Sequence, residues 1–217
     1  MLNTQPRRVF IASAALAFVA GQVNAIGVVG VFHEAMSHVT GTVTRGAVAI
    51  AALDVAGAAR AAGIVAAFAV GALASGGIVG SRELRDGSRY AVGIAVEGVL
   101  LLIAWLLLRN GIAAGEHFGA MASGLQNGLV TTWSGAVVRT SHVTGVLTDI
   151  GVAVGLRLRG VPFDRRLALH LLLLAGFAAG GITGALLWRP FAFDALCVPI
   201  FICAVLAVLA RRRATEG

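Results

Sequence analysis

Ser37-His38-Val39-Thr40-Gly41 recurs residue for residue as Ser141-His142-Val143-Thr144-Gly145, 104 positions further along the chain. Working outward at that spacing, Gln22 falls on Gln126 and Thr44 on Thr148. Ala74-Ser75-Gly76-Gly77-Ile78-Val79-Gly80 falls on Ala178-Ala179-Gly180-Gly181-Ile182-Thr183-Gly184. Three separated matches at one gapless spacing point to an internal repeat. Its units cover residues 8–109 and 112–213, with the join near 110–115.

The repeat is embedded in an apolar chain. Of its 217 residues 58% are hydrophobic and 12% charged, where a soluble domain carries about 25% charged residues. Apolar runs cover residues 9–32, 63–80, 90–108, 112–138, 167–188 and 192–210, each near the length that crosses a bilayer. Only short connections remain, so residues 1–217 read as one integral membrane domain with lipid as its first partner. Between the first and second run of each half lies a shorter, mixed segment, residues 43–59 and 143–156. The latter is about 21 Å long if helical, against about 30 Å of hydrocarbon. The expected fold is therefore an all-α membrane protein of six transmembrane helices plus two short half-helix or re-entrant elements.

The net charge of +7 comes from arginine alone, because the sequence holds no lysine. That removes a Walker A phosphate loop and a lysine Schiff base. The arginines are scattered between apolar runs, which argues against nucleic acid and for a role in setting topology. With six crossings and the N-terminus inside, Arg7, Arg8, Arg82, Arg85, Arg89, Arg139, Arg157, Arg159, Arg165, Arg166 and Arg211–Arg213 fall on the cytoplasmic side. Arg45, Arg60, Arg109 and Arg189 fall on the other. The alternative, eight spans in parallel repeats, weakens this bias and leaves Arg45 in the membrane. Three crossings per half make the repeats inverted, an architecture used by transporters. Arg7-Arg8 ahead of an apolar run also has the look of a twin-arginine signal, but the counterpart of Gln22 deep in the chain favours a first transmembrane helix.

Chemistry-bearing residues cluster at the repeated sequence. Ser37, Thr40, Ser141 and Thr144 are candidate N-caps, and Gly41 and Gly145 permit close backbone approach. A half-helix starting there aims backbone N–H groups at the bilayer midplane, where an anionic or carbonyl-bearing solute can dock. The alternative is that these residues only cap and pack two helix ends. His38 and His142 are structural hydrogen-bonding residues or proton carriers. His33-Glu34 followed by His38 lacks zinc-protease spacing, and no metal is expected. Gln22, Asn24, Gln126 and Asn127 either secure helix contacts or bind ligand.

Glu97 sits inside an apolar run, so it is a candidate proton- or cation-coupling group, with an arginine partner as the alternative. Arg45 and Asp149 occupy equivalent repeat positions with opposite charge and are expected to pair structurally. Ala72, Gly76 and Gly80, and likewise Gly176, Gly180 and Gly184, form small-residue ridges for close packing. Cys197 and Cys203, six apart, point in different directions on a helix and read as packing residues.

The chain resembles the YoaK-type family of bacterial multi-pass membrane proteins, itself of unknown function. The likeness rests on residues 21–27, 36–42, 124–127 and 140–145. This chain has Asn24 where the family tends to have Asp, and Thr42 where it tends to have Asn. The resemblance implies the bacterial inner membrane, and the arginine count puts both termini in the cytoplasm. The function expected is a secondary transporter or facilitator of a small polar or anionic solute, without cofactor and compatible with a homo-oligomer. The alternative is a non-transporting scaffold or assembly protein. An intramembrane enzyme is disfavoured, since Gly-x-Ser-x-Gly, zinc spacing and paired aspartates are all missing from the sequence.

Overall fold

A computed structural model describes residues 7–30, 36–80, 87–134 and 138–215. His33, Glu34, Arg82 and Arg85 lie outside the described residues. The chain forms α1 (Arg7–Val29), α2 (Val39–Ala51), α3 (Val55–Val79), α4 (Gly87–Arg109), α5 (Gly115–Ser134), α6 (Val143–Leu158), α7 (Arg165–Phe191), a 3-10 turn (Ala192–Leu196) and α8 (Cys197–Thr215). Among the described residues there is no strand.

Four stretches are long and apolar enough to cross a membrane: Phe10–Val29, Val55–Val79, Gly87–Arg109 and Arg165–Ala214. The last runs through α7, the 3-10 turn and α8. Glu116, His117, Gln126 and Asn127 place polar side chains along α5. Side chains such as Leu73, 79% exposed, and Phe201, 68% exposed, have nothing of the protein over them. So much uncovered apolar surface is unsuited to water. This is a helical membrane protein.

The start of α3 differs from the expected run at 63–80. Asp54 caps the helix by accepting from the Gly57 N–H, so the apolar Ala- and Gly-rich residues from Val55 onward join it. The mixed segment at 43–59 is thereby split between α2, a turn through Leu53 (φ 57°) and α3. At the join of the repeats, α4 ends at Gly111, whose φ of 75° suits a residue without a Cβ. Pro190 deprives the last turn of α7 of an N–H, and the chain tightens into the 3-10 turn two residues on.

Glycines set the packing. A Cβ on Gly21 would meet the Phe177 carbonyl, and one on Gly180 the Phe18 carbonyl, so α1 and α7 touch backbone to backbone. In the same way Gly124 faces the Phe68 carbonyl and Gly71 the Met121 carbonyl, which joins α5 to α3. Both pairs are parallel, because Ala14, Phe18 and Gln22 meet Gly176, Gly180 and Gly184 in order, while His117, Gly124 and Gly128 meet Gly63, Phe68 and Ser75. The α4–α8 pair is antiparallel: Gly87 lies against Ala214, Gly98 against Cys203, and Trp105 Nε1 donates to Asp194 at 2.8 Å.

The expected ridge of Gly176, Gly180 and Gly184 is therefore a contact surface. The matching expectation for Gly76 fails, since nothing lies within 4 Å of a Cβ there. Ala67, Gly71 and Ser75 hold that role in α3, five residues earlier than the gapless alignment places it.

The long helices pack in pairs, α1 with α7, α3 with α5 and α4 with α8, while α2 lies on α3, α6 on α7 and α5 also on α4. Each of the three long pairs joins a helix of one sequence half to a helix of the other.

Candidate functional site

The two short helices begin alike. His38 occupies the N-cap of α2 with φ −91° and ψ 65°, and His142 that of α6 with φ −92° and ψ 65°. Neither imidazole bonds to its helix end. One turn in, Thr44 Oγ1 donates to the Thr40 carbonyl and Thr148 Oγ1 to the Thr144 carbonyl, both at 2.9 Å. The backbone and side chains of the repeated sequence thus adopt one conformation twice.

The serines and threonines are not the caps that their residue types suggest. Ser37 donates from its hydroxyl and its N–H to Asn24 Oδ1, both at 3.1 Å. Ser141 donates to Asn127 Oδ1 at 2.8 Å. An asparagine one helix away outcompetes the local N–H groups, so each serine ties its half-helix to α1 or α5. Thr40 and Thr144 lie inside the first turn. Side-chain caps are therefore missing from both N-termini among the described residues, which leaves their first backbone N–H groups without a bond from the N-cap side chain.

Register fixes the depth of these ends. Gly46 packs on Ala61 and Gly57 on Ala49, so α2 folds back antiparallel along α3 and its start points toward the middle of that helix. Asp149 lies 3.6 Å from His170 of α7, which puts Val143 near Gly176, again about midway. The two half-helices leave the centre for opposite ends of the molecule. That contact also replaces the expected Arg45–Asp149 pair: α2 and α6 do not touch, and Asp149 is too far round the molecule.

The amides divide. Gln126, 3% exposed, donates from Nε2 to the Leu16 carbonyl at 2.7 Å and to Thr140 Oγ1 at 2.9 Å. It binds α1, α5 and the approach to α6 together, as a packing residue. Gln22 is fully buried and both of its amide atoms lack a hydrogen-bond partner; Asn127 Nδ2 does as well. The asparagines stand 103 positions apart, not 104, and so do the α1 and α5 residues at the glycine contacts. Gln126 therefore corresponds in space to Val23, and Gln22 to Leu125. The one-residue slip was invisible because two glutamines happened to coincide.

At the start of α6 the Arg139 guanidinium nitrogen would lie 3.2 Å from a Cβ on Gly145. Burial pushes the His142 imidazole below its ordinary value, and the Arg139 charge adds to the shift. On α2, Gly41 is instead covered by the His38 ring. Arg139 was counted in the sequence only as a topology signal; its place beside a helix start is set by the return of the chain from α5, which no local pattern encodes. Glu97, 1% exposed, lies against Cys203 rather than against an arginine.

A family model described as a protein of unknown function (DUF1275) matches residues 12–209. The chain belongs to that family. The match runs from α1 to α8 and agrees with the YoaK-type resemblance of the repeated motif. No curated protein and no solved structure matches the chain.

Proposed function

We propose that the chain is a secondary transporter or facilitator for a small polar or anionic solute, working across the bacterial inner membrane. Its two sequence halves are inverted repeats, each crossing three times, with α2 and α6 as half-helices that do not cross. The solute binds at the centre, between the first turns of the half-helices, where Thr40, Gly41, Thr144 and Gly145 offer backbone N–H groups and Gln22 and Asn127 offer unpaired amide atoms.

The observation that carries this reading is the pair of uncapped helix starts of matching geometry, both at mid-depth and pointing to opposite ends. Supporting it, α1, α4 and α7 run one way and α3, α5 and α8 the other, so each helix opposes its repeat counterpart. The starts of α4 and α7 and the end of α8 share one end of the bundle, which collects Arg89, Arg165, Arg166 and Arg211–Arg213. Arg60, Arg109 and Arg189 lie at the other. Such a bias supports a cytoplasmic location for the first end.

The test is flux of isotope-labelled phosphate, sulfate, lactate and glycine into proteoliposomes holding the purified chain. Uptake of one of them above protein-free vesicles, abolished by Gln22→Leu with the fold intact, supports the reading. A chain inert to all four, and not thermally stabilised by any, speaks for a scaffold.

A further inference from the structure

One buried acid has no part in solute binding as described. Glu97 stands at the middle of α4, 1% exposed, and its Oε2 has no hydrogen-bond partner. Cys203 of α8, itself wholly buried, directs its thiol at the other carboxyl oxygen. A Cβ on the adjacent Gly98 would lie 3.3 Å from the Cys203 Cβ, so the two backbones are close here. Leu101, one turn further on, shares an apolar cluster with Cys203, Leu196 and Val19. The carboxyl is thus held between α4 and α8, where a helix of one sequence half packs on a helix of the other.

A carboxylate in such surroundings is strongly disfavoured unless a cation or several donors meet it. The charged groups on the elements packed against α4 are directed elsewhere. On α5, Glu116 bonds to Arg60, and His117 lies against Gly63. In the 3-10 turn, Asp194 takes Trp105 and stands 3.8 Å from Arg109, two turns from Glu97. Arg89, on α4 itself, reaches the Val79 carbonyl of α3. From α8 the titratable group that faces Glu97 is Cys203. A metal cation needs about six oxygen ligands, and a thiol among leucine and isoleucine side chains supplies none.

We propose that Glu97 carries a proton while α4 and α8 are packed together, and gives it up when the two helices part. On opening, the carboxyl O–H bond breaks, the proton passes to entering water, and the carboxylate is solvated. Closure requires the reverse. Solute movement is thereby coupled to a proton gradient, an inference that rests on the transport reading above.

Two measurements on the full-length protein test it. Infrared difference spectra in nanodiscs at neutral pH are expected to contain a protonated-carboxyl C=O band that disappears in Glu97→Gln and persists, shifted, in Glu97→Asp. A wild-type spectrum without that band overturns the proposal, whatever the flux. In proteoliposomes loaded with the solute found above, Glu97→Gln is expected to lose uptake driven by a pH gradient at least tenfold while keeping solute exchange, and Glu97→Asp to keep both. Equal gradient-driven uptake in wild type and Glu97→Gln overturns the proton role alone. No exchange even in the wild type removes the transport reading, and the coupling with it.

Discussion

Gln126 and Thr140 form a buried polar pair whose spatial counterpart in the other half is Val23 with Met36, both buried in one apolar cluster. Gln126→Val is expected to leave the Thr140 hydroxyl unpaired and to cost about 1–3 kcal/mol. Adding Thr140→Met copies the other half and should recover most of the loss, as measured by thermal unfolding in detergent. A double variant no better than the single one would mean that the two sites do not correspond. Glycines give a second contrast. Gly180→Ala drives a methyl into the Phe18 carbonyl and should destabilise by about 1–3 kcal/mol, whereas Gly76→Ala meets open space and should be neutral. At His142 both burial and Arg139 disfavour the imidazolium, so Arg139→Gln should raise its titration midpoint. Nitrogen-15 chemical shifts against pH would reveal a midpoint that stays put, in which case the guanidinium is not the neighbour that matters. The asparagine, serine and glutamine positions were legible from the repeat. Their partners were not, because a side chain's choice between a local N–H and a distant amide depends on tertiary placement.

The two short helices begin where the duplicated motif pointed, but the segment expected at 43–59 was misjudged, since α2 ends at Ala51 and α3 takes up the chain from Val55. Their caps were misjudged, since a serine ahead of a helix usually serves its own N–H groups. The cap that the structure does have, Asp54 on α3, escaped notice because Ala- and Gly-rich residues blurred the border between mixed and apolar segments. Asp54→Ala should cost about 1 kcal/mol. Single cysteines at positions 52 and 160, just past α2 and α6, should label with impermeant maleimide from opposite faces of the membrane. Position 52 should share its face with position 111. Labelling of 52 and 160 from one face would end the case for opposed half-helices.

At the scale of the molecule, each long helix pairs with one from the other half, so the packing units are not the sequence units. Period and composition announced six long helices, and the bulk of the fold was readable from them. The pairing was not, because a glycine ridge says only that something packs closely, never which helix. If α4 and α8 part during transport, Gly98→Cys beside the native Cys203 should lock the molecule when oxidised. Flux should then fall by more than tenfold and return on reduction.

The union of α1 with α7 also sets a timetable for biogenesis. α1 is synthesised roughly 150 residues ahead of the helix that fills its groove, a delay on the order of ten to thirty seconds at usual translation speeds. Throughout that interval its glutamine must reside among acyl chains or in the hands of an insertase. Nascent chains stalled before α7 should therefore be held by such a helper or be degraded, and quality control will read this family by whether its first helix ever finds its last companions.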